Sequence, residues 1–306
     1  MKSDYIWMDG ELIPYQEAQV HVLTPTLHYG LGVFEGIRAY QTPQGTAVFR
    51  LRDHLERFLQ SALIAGIRDF PYTLDDLYSA TLETISANKL KACYIRPFIY
   101  MTGPLGINPD EWSPAVSIAA WEWGPYLGEE AIEKGIHLMV SSFTRHHINV
   151  MMTKAKVSGN YVNSAYAKAL AVRSGFDEAV LLDPEGYVAE CSGENIFFVN
   201  DEVLFTPPLG AILEGITRDT IITLAEDQDL QVKEEYFSRD QLYTADEVFI
   251  SGTAAEVVPV REIDHRLIGQ GGRGPITAQM QEAYRDVVQG RNPRYDQWLD
   301  PVPKSG

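Results

Sequence analysis

Hydrophobic positions recur along this chain with two different periods, and the switches between them outline its elements. Over residues 51–65 (LRDHLERFLQSALIA), apolar side chains fall at 51, 55, 58, 59, 62 and 63, the spacing of one helical face. Gly66 follows as a helix terminator. A second helix is expected over Leu74–Ala87, opened by Thr73 as N-cap. Tyr5–Met8 and Glu11–Pro14 flank Asp9-Gly10, a strong hairpin signal. Residues 33–40 read as one aromatic strand among glycines at 30, 32 and 36, and 92–101, 115–121 and 136–143 read as further strands.

The second half alternates in the same way. A helix is expected over 161–172, and strands over 179–182 and 187–190 about a turn at 184–186. Residues 195–199 and 203–205 form a hairpin around Asn200-Asp201. Gly215-Ile216-Thr217-Arg218 opens a helix to about residue 227, with Thr217 able to cap it. Strand 248–250 runs into the small residues 251–255, an amphipathic helix covers 276–288, and the tail from Arg291 reads as extended. Mixed helices and strands throughout place the chain in the α/β (α+β) class. Residues 122–135 hold three glycines and a proline. We therefore expect an N-terminal domain over 1–123, a linker over 124–135 and a C-terminal domain over 136–306.

Composition narrows the function. Of 306 residues, 45% are hydrophobic, enough for a sizeable core. Lys+Arg 25 against Asp+Glu 42 gives a net charge of −17, which repels nucleic acid and anionic membrane surfaces. Cys93 and Cys191 form no CxxC pair, and a reducing compartment is the natural reading. His146-His147 lack partner ligands, so no metal is expected. The N-terminus has no apolar signal region. No apolar run approaches the ~20 residues that span a bilayer. A cytoplasmic protein is expected.

Against this pattern a few residues stand out. Lys154 and Lys156 precede the small residues Ser158-Gly159 and the helix from Tyr161. An amine in a partly desolvated pocket can act as nucleophile or base, although both lysines also read as solvated loop cations. Arg96 interrupts an apolar strand and is either paired or functional. The helix start at Gly215 is a ready anion site, and the Gly252-Thr253-Ala254 turn exposes backbone N–H groups. Glu190 is a carboxylate at a strand end. Each has a plain structural explanation taken singly. Together they would suit pyridoxal phosphate, which needs a lysine, phosphate donors and an acid at its ring nitrogen.

Seven stretches carry a resemblance: HYGLGVFEGIRAY (28–40), YIRP (94–97), GPLGINP (103–109), KVSGNYVNS (156–164), AECSGENIFFV (189–199), EGITRD (214–219) and SGTAAEVVPV (251–260). In order and spacing they resemble the class IV aminotransferases of pyridoxal phosphate fold type IV, and within these the branched-chain amino acid aminotransferases. The resemblance implies a two-domain, D-amino acid aminotransferase-like fold with the cofactor in the cleft between the domains. It implies reversible transamination of L-leucine, L-isoleucine and L-valine with 2-oxoglutarate. Lys156, rather than Lys154, would be the Schiff-base lysine, Glu190 would meet the pyridine nitrogen, and Tyr161 would lie near the phenolic oxygen. Arg57 and the backbone N–H groups of Ile216, Thr217 and Thr253 would hold the phosphate.

Thr253 and Ala254 N–H groups, with Tyr94, would take the α-carboxylate. Phe34, Trp123, Tyr126 and Tyr161 would wall the side-chain pocket. Arg96, with Tyr29 and Tyr126, would meet the distal carboxylate of glutamate. Tyr29, Leu105 and Ile107 would reach in from a neighbouring subunit, which implies a homodimer or homohexamer. D-amino acid, (R)-amine or aminodeoxychorismate chemistry belongs to the same fold type, but FEGIRAY, YIRP and GPLGINP favour the branched-chain members. One stretch departs from the family pattern. Residues 145–153 (RHHINVMMT) lack the prolines common there, which puts fine substrate preference in doubt.

Overall fold

The helix expected from the apolar period forms as Leu51–Ile64, burying Leu51, Leu55, Phe58 and Ala62 on one face. In this computed structural model, which describes residues 3–124 and 128–303, the helix ends at Ala65 and Gly66 turns the chain with φ +75°. The helix Leu74–Ala87 opens on a complete capping box. Thr73 Oγ1 accepts from Asp76 N (3.2 Å) and Asp76 Oδ2 accepts from Thr73 N (2.8 Å), a device whose loss costs about 1 kcal/mol.

The strands are β1 (Tyr5–Met8), β2 (Glu11–Pro14), β3 (Gly32–Phe34), β4 (Ile37–Thr42), β5 (Gly45–Phe49), β6 (Cys93–Thr102), β7 (Ser113–Trp121) and β8 (Ile136–Val140). They continue as β9 (Glu178–Leu182), β10 (Val188–Cys191), β11 (Asn195–Asn200), β12 (Val203–Thr206), β13 (Val232–Glu234), β14 (Glu247–Gly252), β15 (Glu256–Ile263), β16 (Arg266–Leu267) and β17 (Leu299–Pro301). Among the described residues they form two sheets. One has the order β17-β5-β4-β6-β7-β1-β2 with β3 also on β6; the other runs β10-β9-β8-β15-β14-β11-β12-β13 with β16 on β15.

The chain divides into two compact units: Met1–Trp123 with Ala155–Gly159 and Val287–Gly306, and Gly124–Lys154 with Asn160–Asp286. Residues 155–159, Lys156 among them, and the tail thus pack with the first unit, although in sequence they follow the boundary near 124–135. Non-local pairing explains this. Val157 bridges Val33, Gly159 N donates to Gly30 O (3.0 Å), and β17 pairs antiparallel with β5. In the first unit the two helices above cover the sheet, with Phe58, Leu77, Ile85, Ile95 and Ile118 fully buried. In the second unit the helices Tyr161–Arg173 and Ile216–Glu226 cover strands β9 and β14.

Several expectations are corrected. Residues 33–40 are two strands, broken at Glu35-Gly36, because β3 and β4 occupy separate stretches of β6 and Glu35 N donates to Pro97 O (3.0 Å) between them. The strand from Ile136 stops at Val140, where Ser141 N turns to Val180 O (2.8 Å). The tail is a 3-10 segment, Pro293–Trp298, followed by β17. The boundary stretch contains a short helix, Glu129–Lys134. Among the described residues no helix is long and apolar enough to cross a membrane, and no group of three or more His, Cys, Asp or Glu could hold a metal ion.

Candidate active site

In the first unit the chemistry gathers about the break between β3 and β4. Phe34 and Lys156 are tied through the backbone: Phe34 N donates to Lys156 O (3.1 Å), and Lys156 N donates to Ser61 Oγ (3.0 Å). Both backbone polar groups of Lys156 are therefore fixed. Its Nζ stands 5.2 Å from the Phe34 ring centroid. The guanidinium of Arg96 packs on the same ring at 4.6 Å and on Tyr94 at 5.3 Å. Arg96 Nη2 donates to the Tyr94 hydroxyl (3.0 Å), while its buried Nε has no hydrogen-bond partner among the described residues. A buried unmatched donor on a cation is a place for an anion.

Tyr94 in turn packs on Trp123 (4.7 Å) and Trp121 (5.3 Å). Glycine at position 36 makes room for this cluster, since a Cβ there would fall 2.0 Å from the Tyr94 hydroxyl and push the ring aside.

Behind this wall lies a buried ion cluster. Glu35, with no exposed surface, accepts Arg57 Nε on Oε1 (2.8 Å) and Arg57 Nη2 on Oε2 (2.8 Å). His54 Nδ1 lies 2.8 Å from Glu35 Oε2. Burial alone would raise the Glu35 carboxyl, but the Arg57 charge and the His54 contact hold it far below the usual carboxylate range. Burial pushes the His54 imidazole down despite Glu35, so it is neutral at pH 7 and donates from Nδ1.

The remaining candidates of this unit lie at the surface. Tyr29 is 43% exposed and stacks on Trp112 (5.5 Å). Leu105 is 46% and Ile107 84% exposed. Tyr126 lies outside the described residues.

In the second unit Glu190 sits near the end of β10, beside an irregularity in the pairing with β9 that re-aims side chains. Leu213 N donates to its Oε2 (3.1 Å), and Arg145 Nε stands 2.6 Å from its Oε1. That N–H is not aligned on the carboxylate, so charge rather than a directed bond holds the pair. The helix Ile216–Glu226 starts at Gly215 with no side-chain cap. Thr217 lies inside the first turn and is buried, so it does not cap the helix as the sequence allowed. A Cβ at Gly215 would meet Asn195 Oδ1 at 1.9 Å, so a larger residue there would have to displace the Asn195 side chain. Thr253 and Ala254 form the turn between β14 and β15, and Tyr161 opens the helix Tyr161–Arg173.

Sequence reasoning missed four residues. Glu35 and His54 read as strand and helix residues, Arg145 as part of the stretch before the lysine, and Glu194 as part of the run that follows Glu190. Glu194 is buried, and burial, with the Glu178 charge second, pushes its carboxyl up to about 8. Glu178 is itself paired with Lys168 (2.7 Å).

Comparison with known proteins adds to this geometry. The family model for amino-transferase class IV matches residues 32–263. The chain is 51% identical over 298 residues to the branched-chain-amino-acid aminotransferase of Pseudomonas aeruginosa, covering 97% of each chain. It is 46% identical over 306 residues to that of Escherichia coli K12, covering 98% of each. Among solved structures it is similar to the T.th. branched-chain amino acid aminotransferase with pyridoxamine 5'-phosphate, with a TM-score of 0.96 and 51% identity over 99% of this chain and 100% of that one. The Escherichia coli enzyme gives a TM-score of 0.96 at 45% identity, with the same coverage.

Proposed function

Because the chain belongs to the class IV aminotransferases, we propose that it catalyses pyridoxal phosphate-dependent, reversible transfer of the amino group of L-leucine, L-isoleucine or L-valine to 2-oxoglutarate. The products are the branched-chain 2-oxo acids and L-glutamate. One observation carries the reading: the Lys156 amine and the Arg96 guanidinium share the Phe34 ring, and Arg96 keeps a buried, unmatched N–H. A reactive amine and a cation half hidden by aromatics suit substrates that alternate between an apolar and an anionic side chain.

The donor set fits the cofactor. It contains an amine at Lys156, a buried carboxylate at Glu190, a guanidinium at Arg57 and an uncapped helix start at Gly215. When bound, pyridoxal phosphate supplies a carbonyl that takes up amines and a ring that withdraws electrons. The rest falls to this chain. Arg57, with the N–H groups of Ile216, Thr217 and Thr253, binds the phosphate. Glu190 would hold the proton on the ring nitrogen, and Tyr161 would lie near the phenolic oxygen. Thr253 and Ala254 N–H groups, with Tyr94, orient the substrate α-carboxylate. With the cofactor bound, Lys156 Nζ would be the group that takes the proton from the substrate Cα and gives it back as general acid. Phe34, Trp123, Tyr126 and Tyr161 exclude water from the apolar side chain. Arg96, with Tyr29 and Tyr126, binds the distal carboxylate of glutamate.

Exposed Tyr29, Leu105 and Ile107 support assembly as a homodimer or homohexamer in which they line a neighbour's pocket. Two buried free cysteines support a cytoplasmic location. The test is optical and kinetic. The purified protein is expected to be yellow, with a visible band that shifts on adding L-leucine, and Lys156→Ala is expected to abolish turnover of L-valine with 2-oxoglutarate. A band that ignores L-leucine but responds to D-alanine or an (R)-amine would replace the substrate assignment. Turnover retained by Lys156→Ala would remove the lysine's role.

A further inference from the structure

We propose that Glu35, backed by His54, is a positioning residue that fixes the guanidinium of Arg57 in the orientation that receives the cofactor's phosphate; this rests on the phosphate role given to Arg57 above. The geometry is that of a lock. Arg57 presents its Nε and Nη2 edge to both oxygens of Glu35, each at 2.8 Å. A bidentate partner on one edge of a planar fork fixes the plane and turns the other donors away from it. His54, three residues before Arg57 on the same helix, holds Glu35 Oε2 from a second side at 2.8 Å. Glu35 is anchored through its own backbone, N to Pro97 O at 3.0 Å, so the lock is tied to β6 as well as to the helix.

Stability does not account for the cluster. A buried ion pair is often replaced by apolar residues at no cost, so its presence calls for another reason. Nor does charge attraction account for it. With His54 neutral, one guanidinium and one carboxylate sum to zero, so the trio has no net charge with which to draw in a phosphate. What it offers is aimed donors. The two ideas make opposite predictions. If Arg57 acts by charge alone, removing the Glu35 charge strengthens phosphate binding. If Glu35 acts by aiming Arg57, removing it weakens phosphate binding.

The experiment measures the dissociation constants of the apoprotein for pyridoxal 5′-phosphate and for pyridoxal, which lacks the phosphate. Their ratio reports the phosphate contribution alone. A wild-type ratio near one would overturn the phosphate reading of Arg57 and the proposal with it. Given a large wild-type ratio, Glu35→Gln is expected to lower it about tenfold, the lower end of what losing a supporting partner typically costs a binding site. In an Arg57→Met background the same change is expected to have no further effect. His54→Leu is expected to lower the ratio, and His54→Asn, which keeps an N–H near the Nδ1 position, to restore it. If Glu35→Gln yields no folded protein, the two His54 variants decide. A ratio that stays constant while both constants rise together would mark a purely structural role. A ratio that is unchanged or raised in Glu35→Gln, or not rescued in His54→Asn, would overturn the proposal.

Discussion

Glu194 is the buried carboxyl whose removal should stabilise this protein. It accepts Gly193 N on Oε2 (3.2 Å) and is pushed from 4.5 to about 8, by burial first and by the Glu178 charge second. The folded state therefore holds a proton that the unfolded state releases. A group whose folded value is raised contributes no penalty below its unfolded value, and its cost grows as pH rises through the folded value. At 1.36 kcal/mol per pH unit, the shift corresponds to a cost on the order of 5 kcal/mol above pH 8, falling to nothing near pH 4.5.

Glu194→Gln has the shape of the protonated acid and keeps an acceptor for Gly193 N, but it cannot ionise. Urea midpoints of wild type and variant across pH 5 to 9 are therefore expected to lie close at pH 5, separate steadily as pH rises and run parallel above about pH 8, the variant being the more stable. Profiles parallel over the whole range would refute the reasoning, because they would mean that Glu194 titrates alike in both states. A variant less stable at every pH would mean that the carboxylate is needed where it stands.

Two substitutions test the glycines of the site. Gly36→Ala would put a methyl 2.0 Å from the Tyr94 hydroxyl and displace both the α-carboxylate contact and the acceptor of Arg96, so KM should rise for leucine and glutamate alike and about tenfold further for glutamate; equal rises would disconnect Tyr94 from Arg96. Gly215→Ala would collide with Asn195 Oδ1 at 1.9 Å and shift the start of the helix Ile216–Glu226; we expect at least about tenfold weaker binding of pyridoxal phosphate, and unchanged binding would remove that helix start from the phosphate site.

Elements governed by local rules were legible. Thr73 with Asp76 three residues on announces a capping box, and Asp9-Gly10 with Asp9 at φ 48° makes the expected hairpin turn. Local rules failed wherever one strand had to serve two partners. Residues 33–40 look continuous, yet β3 pairs with 98–100 and β4 with 93–95, leaving Glu35 between registers. That break turns Glu35 inward to Arg57 and His54, and nothing in the run of aromatics marks it.

Lys156 makes the same point in reverse. Its stretch lies in the middle of the chain, and sequence order alone assigns it to the later residues. Its partners include Val33, Phe34, Ser61 and Gly30, all four before residue 62. Gly30 and Gly159 are the reason the two segments can meet. A Cβ on Gly30, at φ +73°, would stand 3.1 Å from Gly159 Cα, and one on Gly159 would stand 3.3 Å from Gly30 O. The glycine before the aromatic run and the glycine after the lysine are therefore one structural feature, written in two places 129 residues apart (159 − 30). A motif scan recovers both stretches because each is distinctive on its own. That they form a single backbone contact, in the stretch that carries the amine to the Phe34 ring, follows only from the fold.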